Sequence, residues 1–180
     1  MSNSEIELDF LSAETDEVFR QCIHCECQLT TAGLFMVSKA YRGDECTFEY
    51  AICMDCREKI HNELSDDSRV AMFDFMHDRV NMPQREEKYK NAANYQLQLD
   101  SCATCGLDRQ LAESYSTAAV FHNGLMLTGA FPLMICSSCE EEVYQCLSDH
   151  TKDVWDKFIN DHFPGPPAIG EPSPNHHLVF

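Results

Sequence analysis

The sequence predicts an α+β protein made of two small units in tandem, each a cysteine knuckle, a β-hairpin and two helices. Three observations carry this expectation. Paired CxxC motifs occur twice, Cys22/Cys25 with Cys53/Cys56 and Cys102/Cys105 with Cys136/Cys139. At an offset of 83 (136 minus 53), Ile52-Cys53-x-x-Cys56-x-Glu58 overlays Ile135-Cys136-x-x-Cys139-x-Glu141, and Leu64-Ser65-Asp66 overlays Leu147-Ser148-Asp149. Around these motifs the apolar period changes from two to 3.6 in the same order in both copies.

The chain of 180 residues has room for two units of about 65 residues each, and units that small have little core to stabilise them. A metal staple is then physically useful. Residues 1–20 read as an acidic arm, either frayed or, since Ile6, Leu8 and Phe10 alternate, forming a short strand packed on a unit. Unit one covers 21–83. Leu34 to Tyr41, the turn Arg42-Gly43-Asp44-Glu45 and Cys46 to Cys53 form its hairpin, and Arg57 to Leu64 a helix with Ile60 and Leu64 on one face. Ser65-Asp66-Asp67-Ser68 breaks that helix and caps the next, which carries the stripe Ala71, Met72, Phe75, Met76 and Val80.

Residues 84–100 form a polar linker ending in the alternation Tyr95, Leu97, Leu99. Unit two, 101–163, repeats the plan. Tyr115 to Phe121 is a strand, His122-Asn123-Gly124 carries an Asn-Gly hairpin signal, and Leu125 to Ile135 returns. Glu140 to Leu147 is helical, with Val143 and Leu147 on one face; Ser148-Asp149-His150-Thr151 caps a last helix with the stripe Val154, Trp155, Phe158, Ile159 and Phe163. The tail, 164–180, holds five of the seven prolines and reads as disordered, ending in His176-His177-Leu178-Val179-Phe180, a candidate docking peptide.

Metal chemistry follows from the cysteine pattern. Zinc takes four soft or borderline ligands in a tetrahedron, and CxxC supplies two from one turn. The pairs are separated by 27 residues in the first copy (26–52) and 30 in the second (106–135), enough to close a four-thiolate site around a hairpin. The expected ligands of two zinc ions are therefore Cys22, Cys25, Cys53 and Cys56, and Cys102, Cys105, Cys136 and Cys139. A closed tetrahedron has no open position, so both sites read as structural, with no catalytic residue and no other cofactor. Cys27 competes with Cys25 for the first site, and the spacing of the second copy selects Cys25. Cys46 and Cys146 have no counterparts and read as small buried apolar residues. His24, His61, His77, His122, His150 and His162 form no recurring catalytic pair and read as surface histidines.

The order of knuckle, hairpin and helix-borne CxxC resembles the treble-clef zinc-finger architecture over residues 22–64 and 102–147. Cys102-Ala103-Thr104-Cys105-Gly106 is similar to the knuckle of that class, while the first copy has Glu26 where the second has glycine. The resemblance concerns architecture. Treble clefs serve nucleases, ribosomal proteins, ubiquitin-system modules and adaptors, so no single function comes with it.

Composition narrows the partners. Thirteen basic against 30 acidic residues give a net charge of −17, which repels phosphate backbones and suits solubility or a basic protein partner. Nucleic-acid binding would need the local cluster Arg79, Arg85, Lys88 and Lys90. The N-terminus has neither a basic start nor a long apolar run, and no stretch reaches the roughly 18 apolar residues of a membrane span. These features place the chain in a reducing cytoplasm as a non-catalytic zinc protein that acts as a protein-interaction or regulatory adaptor, with a nucleic-acid-binding zinc finger as the alternative.

Overall fold

The computed structural model describes residues 8–92 and 94–163. Its elements run β1 (Leu34–Arg42), β2 (Glu45–Cys53), α1 (Met54–Glu63), α2 (Asp66–Arg79) and α3 (Met82–Tyr89), then β3 (Ser114–His122), β4 (Leu125–Met126), β5 (Leu133–Cys136), α4 (Ser137–Gln145) and α5 (Asp149–His162). The α+β class and the hairpin-then-helices order of each half are as the sequence predicts.

The two hairpins join into one antiparallel sheet, ordered β2-β1-β3-β4 with β5 also on β3. The join is β1 against β3, paired without a break from Leu34↔His122 to Arg42↔Ser114. At its middle Ser38 faces Ala118, and the same offset of 80 relates Phe35 to Tyr115 and Tyr41 to Phe121. Reversing the two strands therefore exchanges two stacked pairs, Phe35 on Phe121 and Tyr41 on Tyr115, each with centroids 5.1 Å apart. Most of the buried apolar side chains form one cluster spanning both halves.

Both faces of this sheet are covered, which is why β1 and β3 are buried almost throughout rather than at alternate residues. On one face lie the helices, with α1 against α5 and α2 against α4, so each half packs its helices on those of the other. On the opposite face lie the N-terminal arm and the linker. Phe10 packs on Tyr95 and Phe121, and Asp9 accepts hydrogen bonds from the Tyr95 hydroxyl (2.8 Å) and the Gln96 amide (3.2 Å). Buried Lys39 is satisfied from the same layer, donating to the Leu11 carbonyl at 2.5 Å and lying 3.3 Å from the Glu49 carboxylate.

Four sequence expectations are corrected. Leu8–Phe10 is a short 3-10 turn, not a strand, because Phe10 anchors to the sheet from above; Ile6 lies outside the described residues. The linker ends in a 3-10 turn, Tyr95–Gln98, that buries Tyr95, Gln98 and Leu99 and leaves Leu97 exposed, so the apparent alternation is a helical spacing. Its first part is the helix α3. Third, the return strand of the second hairpin is interrupted between β4 and β5. Pro132 has no N–H for the ladder, and Gly129 adopts φ 133° where a Cβ would collide with the Glu86 carboxylate of α3. That carboxylate instead accepts from Ala130 N–H at 2.6 Å. Fourth, Cys146 is exposed at the C-cap of α4, and Cys46 is only half-buried in β2. The expected docking peptide at 176–180 lies outside the described residues.

Candidate metal centres

Each sulfur cluster is built from a turn and a helix start. In the first half Cys22 N–H donates to Cys27 O (3.0 Å) and Glu26 N–H to Cys22 O (2.9 Å); in the second, Cys102 N–H donates to Leu107 O and Gly106 N–H to Cys102 O, both at 2.8 Å. The turn needs a left-handed residue at its fifth position, and Gly106 supplies it at φ 76°. Glu26 takes the same conformation at φ 61°, so its side chain does not alter the knuckle, at a cost of about 1 kcal/mol in backbone strain.

Each knuckle is tied to the strand that carries the second pair. Ile23 N–H donates to Ala51 O on β2 at 2.9 Å, and Ala103 N–H to Met134 O on β5 at 2.7 Å. Cys53 and Cys136 then serve as N-cap residues of α1 and α4, and neither side chain is used for capping. Their sulfurs, with Cys56 and Cys139 in the first turn, sit at the positive end of a helix dipole, where thiolates are favoured.

The structure brings the eight sequence-predicted cysteines into two groups, Cys22/Cys25/Cys53/Cys56 and Cys102/Cys105/Cys136/Cys139, with the sulfurs of each group all within 4.8 Å of one another. Cys25 Sγ lies 3.8 Å from Cys53 Sγ, and Cys105 Sγ lies 3.7 Å from Cys136 Sγ. A disulfide would need about 2.05 Å. Four sulfurs about 2.3 Å from a central ion at tetrahedral angles would be separated by roughly 3.8 Å, so the donor set fits a metal of that class. Backbone N–H groups complete the surroundings, Cys53 N–H pointing to Cys22 Sγ at 3.4 Å and Cys136 N–H to Cys102 Sγ at 3.3 Å.

The protonation pattern says why these sulfurs need a cation. Cys25 is lowered to about 6, chiefly by the backbone N–H of Cys27. Burial opposes ionisation of Cys102, but the Thr104 hydroxyl and the Cys136 N–H bring it to about 7. Burial and neighbouring thiolates push Cys136 up to about 11 and raise Cys53, Cys56 and Cys139 as well. Four like charges in one partly buried group cannot coexist unaided; a divalent ion removes that conflict. Cys27 stands outside the first group, raised to about 12 by burial and by Cys25 and Cys53, and Leu107 occupies its place in the second half.

The other candidates are scattered. Of the basic cluster, Arg79 pairs with Glu142 on α4, Lys90 with Glu87 at 2.7 Å, and Arg85 turns inward to the carbonyls of Ala130 (3.2 Å) and Pro132 (2.9 Å). Among the histidines, His24 of the first knuckle meets His162 at the end of α5, with ring nitrogens 3.1 Å apart. Sequence reading missed this pair because its members belong to different halves. No helix among the described residues is long and apolar enough to cross a membrane. The sequence matches no family model, and no curated protein or solved structure matches it either.

Proposed function

We propose that the protein holds two structural zinc ions, one per four-cysteine group, and works as a non-catalytic adaptor that binds a protein partner. The observation that carries the metal part is the sulfur spacing, near 3.8 Å in both groups and shorter than 4.8 Å throughout. Zinc is the ion best matched to four thiolates in a tetrahedron, and a filled tetrahedron leaves no position for water or substrate. The knuckle, hairpin and helix order supports the treble-clef likeness and an origin by duplication. Eleven cysteines without a disulfide suit a reducing compartment such as the cytoplasm.

The adaptor reading rests on charge. A surface of net −17 favours a basic protein over a phosphate backbone, and three of the four clustered cations already have partners within the chain.

Elemental analysis of the natively purified protein tests the metal part. Near two zinc per chain is expected, falling to one in Cys139→Ser, with eight thiols released and the helical signal lost together on chelation. No metal, or iron with visible absorbance, overturns it. Capture of a basic partner that weakens as salt rises from about 0.05 to 0.5 M supports the charge argument; a mobility shift of DNA or RNA at micromolar protein moves the reading to nucleic acid.

A further inference from the structure

The helix face of the sheet is filled unequally. Met72 on α2 and Trp155 on α5 occupy corresponding positions (155 minus 72 is 83). Trp155 fills its side, edge-on to Phe158 at 6.0 Å. On the α2 side a cavity of about 380 Å³ lies between α1, α2 and the sheet, within the range of small-molecule sites, about 300 to 1,000 Å³. Five methionines line it, Met36, Met54, Met72, Met76 and Met82, and their unbranched thioethers adapt readily to an apolar guest.

Its polar lining is all of one kind. Arg57, His61 and Arg69 face the cavity and, among the described residues, no acidic side chain does, in a chain with 30 acidic residues against 13 basic. Arg57 Nε is buried with no hydrogen-bond partner, and no carboxylate pairs with its guanidinium among the described residues. At the corresponding place in the other half stands Glu140, buried and hydrogen-bonded by the Ser116 hydroxyl at 2.6 Å. Arg69 pairs with Asp66, which is itself 87% exposed. Arg57, His61 and Met72 also line a smaller adjoining cavity of about 20 Å³, together with Trp155, whose Nε1 is buried and unpaired as well.

We propose that this cavity binds a single-chain amphipathic carboxylate, its apolar chain among the methionines and its carboxylate on the Arg57 guanidinium, with Arg69 and His61 beside it. A planar fork of N–H donors matches a carboxylate in two parallel hydrogen bonds. A neutral alcohol leaves the buried charge of Arg57 uncompensated, and a cationic amphiphile adds a third like charge to those of Arg57 and Arg69. Both guanidiniums lie close enough to His61 to reinforce burial in lowering its pKa, so the three groups converge on one place. The site uses none of the clustered sulfurs, although Met54 and Arg57 adjoin Cys53 and Cys56 on α1, and it does not depend on the adaptor reading.

The sole tryptophan, Trp155, makes the test direct. Sodium decanoate, 1-decanol and decyltrimethylammonium are titrated into the full-length protein, followed by Trp155 emission and by calorimetry. Decanoate is expected to saturate at one per chain and to bind at least about tenfold tighter than the other two. Arg57→Met, which keeps the apolar volume, should weaken decanoate about tenfold or more while decanol binds at least as tightly as to the parent; Met72→Trp, which copies the other half, should abolish binding of both. No saturable decanoate binding, equal affinity for all three ligands, or undiminished decanoate binding by Arg57→Met overturns the proposal. The three-ligand comparison on the unaltered protein decides it even where a variant fails to fold.

Discussion

The hydroxyl oxygens of Ser65 and Ser148 lie 2.8 Å apart, and they cap two different helices. Each caps its own helix, Ser65 accepting from Ser68 N–H and Ser148 from Thr151 N–H, both at 3.2 Å. The return bond then crosses over. Ser65 N–H donates to Thr151 Oγ1 at 3.0 Å and Ser148 N–H to Ser68 Oγ at 2.9 Å. In a capping box the third residue reaches back to its own N-cap; here it reaches the other helix's. Ser68 and Thr151 are fully buried, so these bonds join the halves where no water can replace them.

Thr151→Val keeps the shape and removes the acceptor, leaving Ser65 N–H unpaired. It should cost about 1 to 2 kcal/mol in chemical denaturation, and so should Ser68→Ala. The two changes act on one network, so the double variant should depart from the sum of the single costs by about 0.5 kcal/mol or more. Strict additivity would show two independent caps and no crossing.

Glu26→Gly relieves the left-handed strain of the first knuckle without touching a sulfur. Stability should rise by about 0.5 to 1 kcal/mol, with metal content unchanged. Thermal melting of the loaded protein checks this, and an unchanged or lower midpoint would show that the Glu26 side chain contributes contacts that outweigh the strain.

Glu49 pairs with buried Lys39 at 3.3 Å. Burial raises its pKa, but the Ala13 N–H, the Ser12 hydroxyl and Lys39 more than offset that, and its pKa lies below the ordinary value. A lowered folded-state pKa gives stability that is complete above the unfolded value, about 4.3, and is lost as pH falls through the folded value. Glu49→Gln should therefore cost about 1 to 3 kcal/mol at pH 7, with the difference between variant and parent shrinking below about pH 4. Denaturation of the two proteins side by side reads this, and a pH-independent difference would remove the charge from the account.

What the sequence discloses here is local chemistry. CxxC spacing names the eight clustered sulfurs, Ser-x-x-Ser and Ser-x-x-Thr mark the helix starts, and Asn123-Gly124 marks a turn in which both residues have positive φ. Long-range choices leave no such mark. Nothing in Leu34 to Arg42 announces that its partner is Ser114 to His122 as well as β2, because a strand covered on both faces has no alternation to set its register. Sequence reading runs the return strand straight through Gly129 and Pro132, because the partner that stops it is Glu86, on a helix that composition alone presents as a polar linker. The methionine cavity is invisible for a related cause: its lining comes from α1, α2, the start of α3 and three strands of both halves.

During synthesis, β1 leaves the ribosome 80 residues ahead of β3 (118 minus 38). At about 5 to 20 residues per second, its inner edge waits some 4 to 16 s for its partner. For that interval nine residues of open backbone face whatever is nearest, including the same strand on a neighbouring nascent chain. The yield of correctly closed molecules should thus depend on translation speed between residues 43 and 113 and on the crowding of ribosomes on one message, more than on the stability of the finished fold.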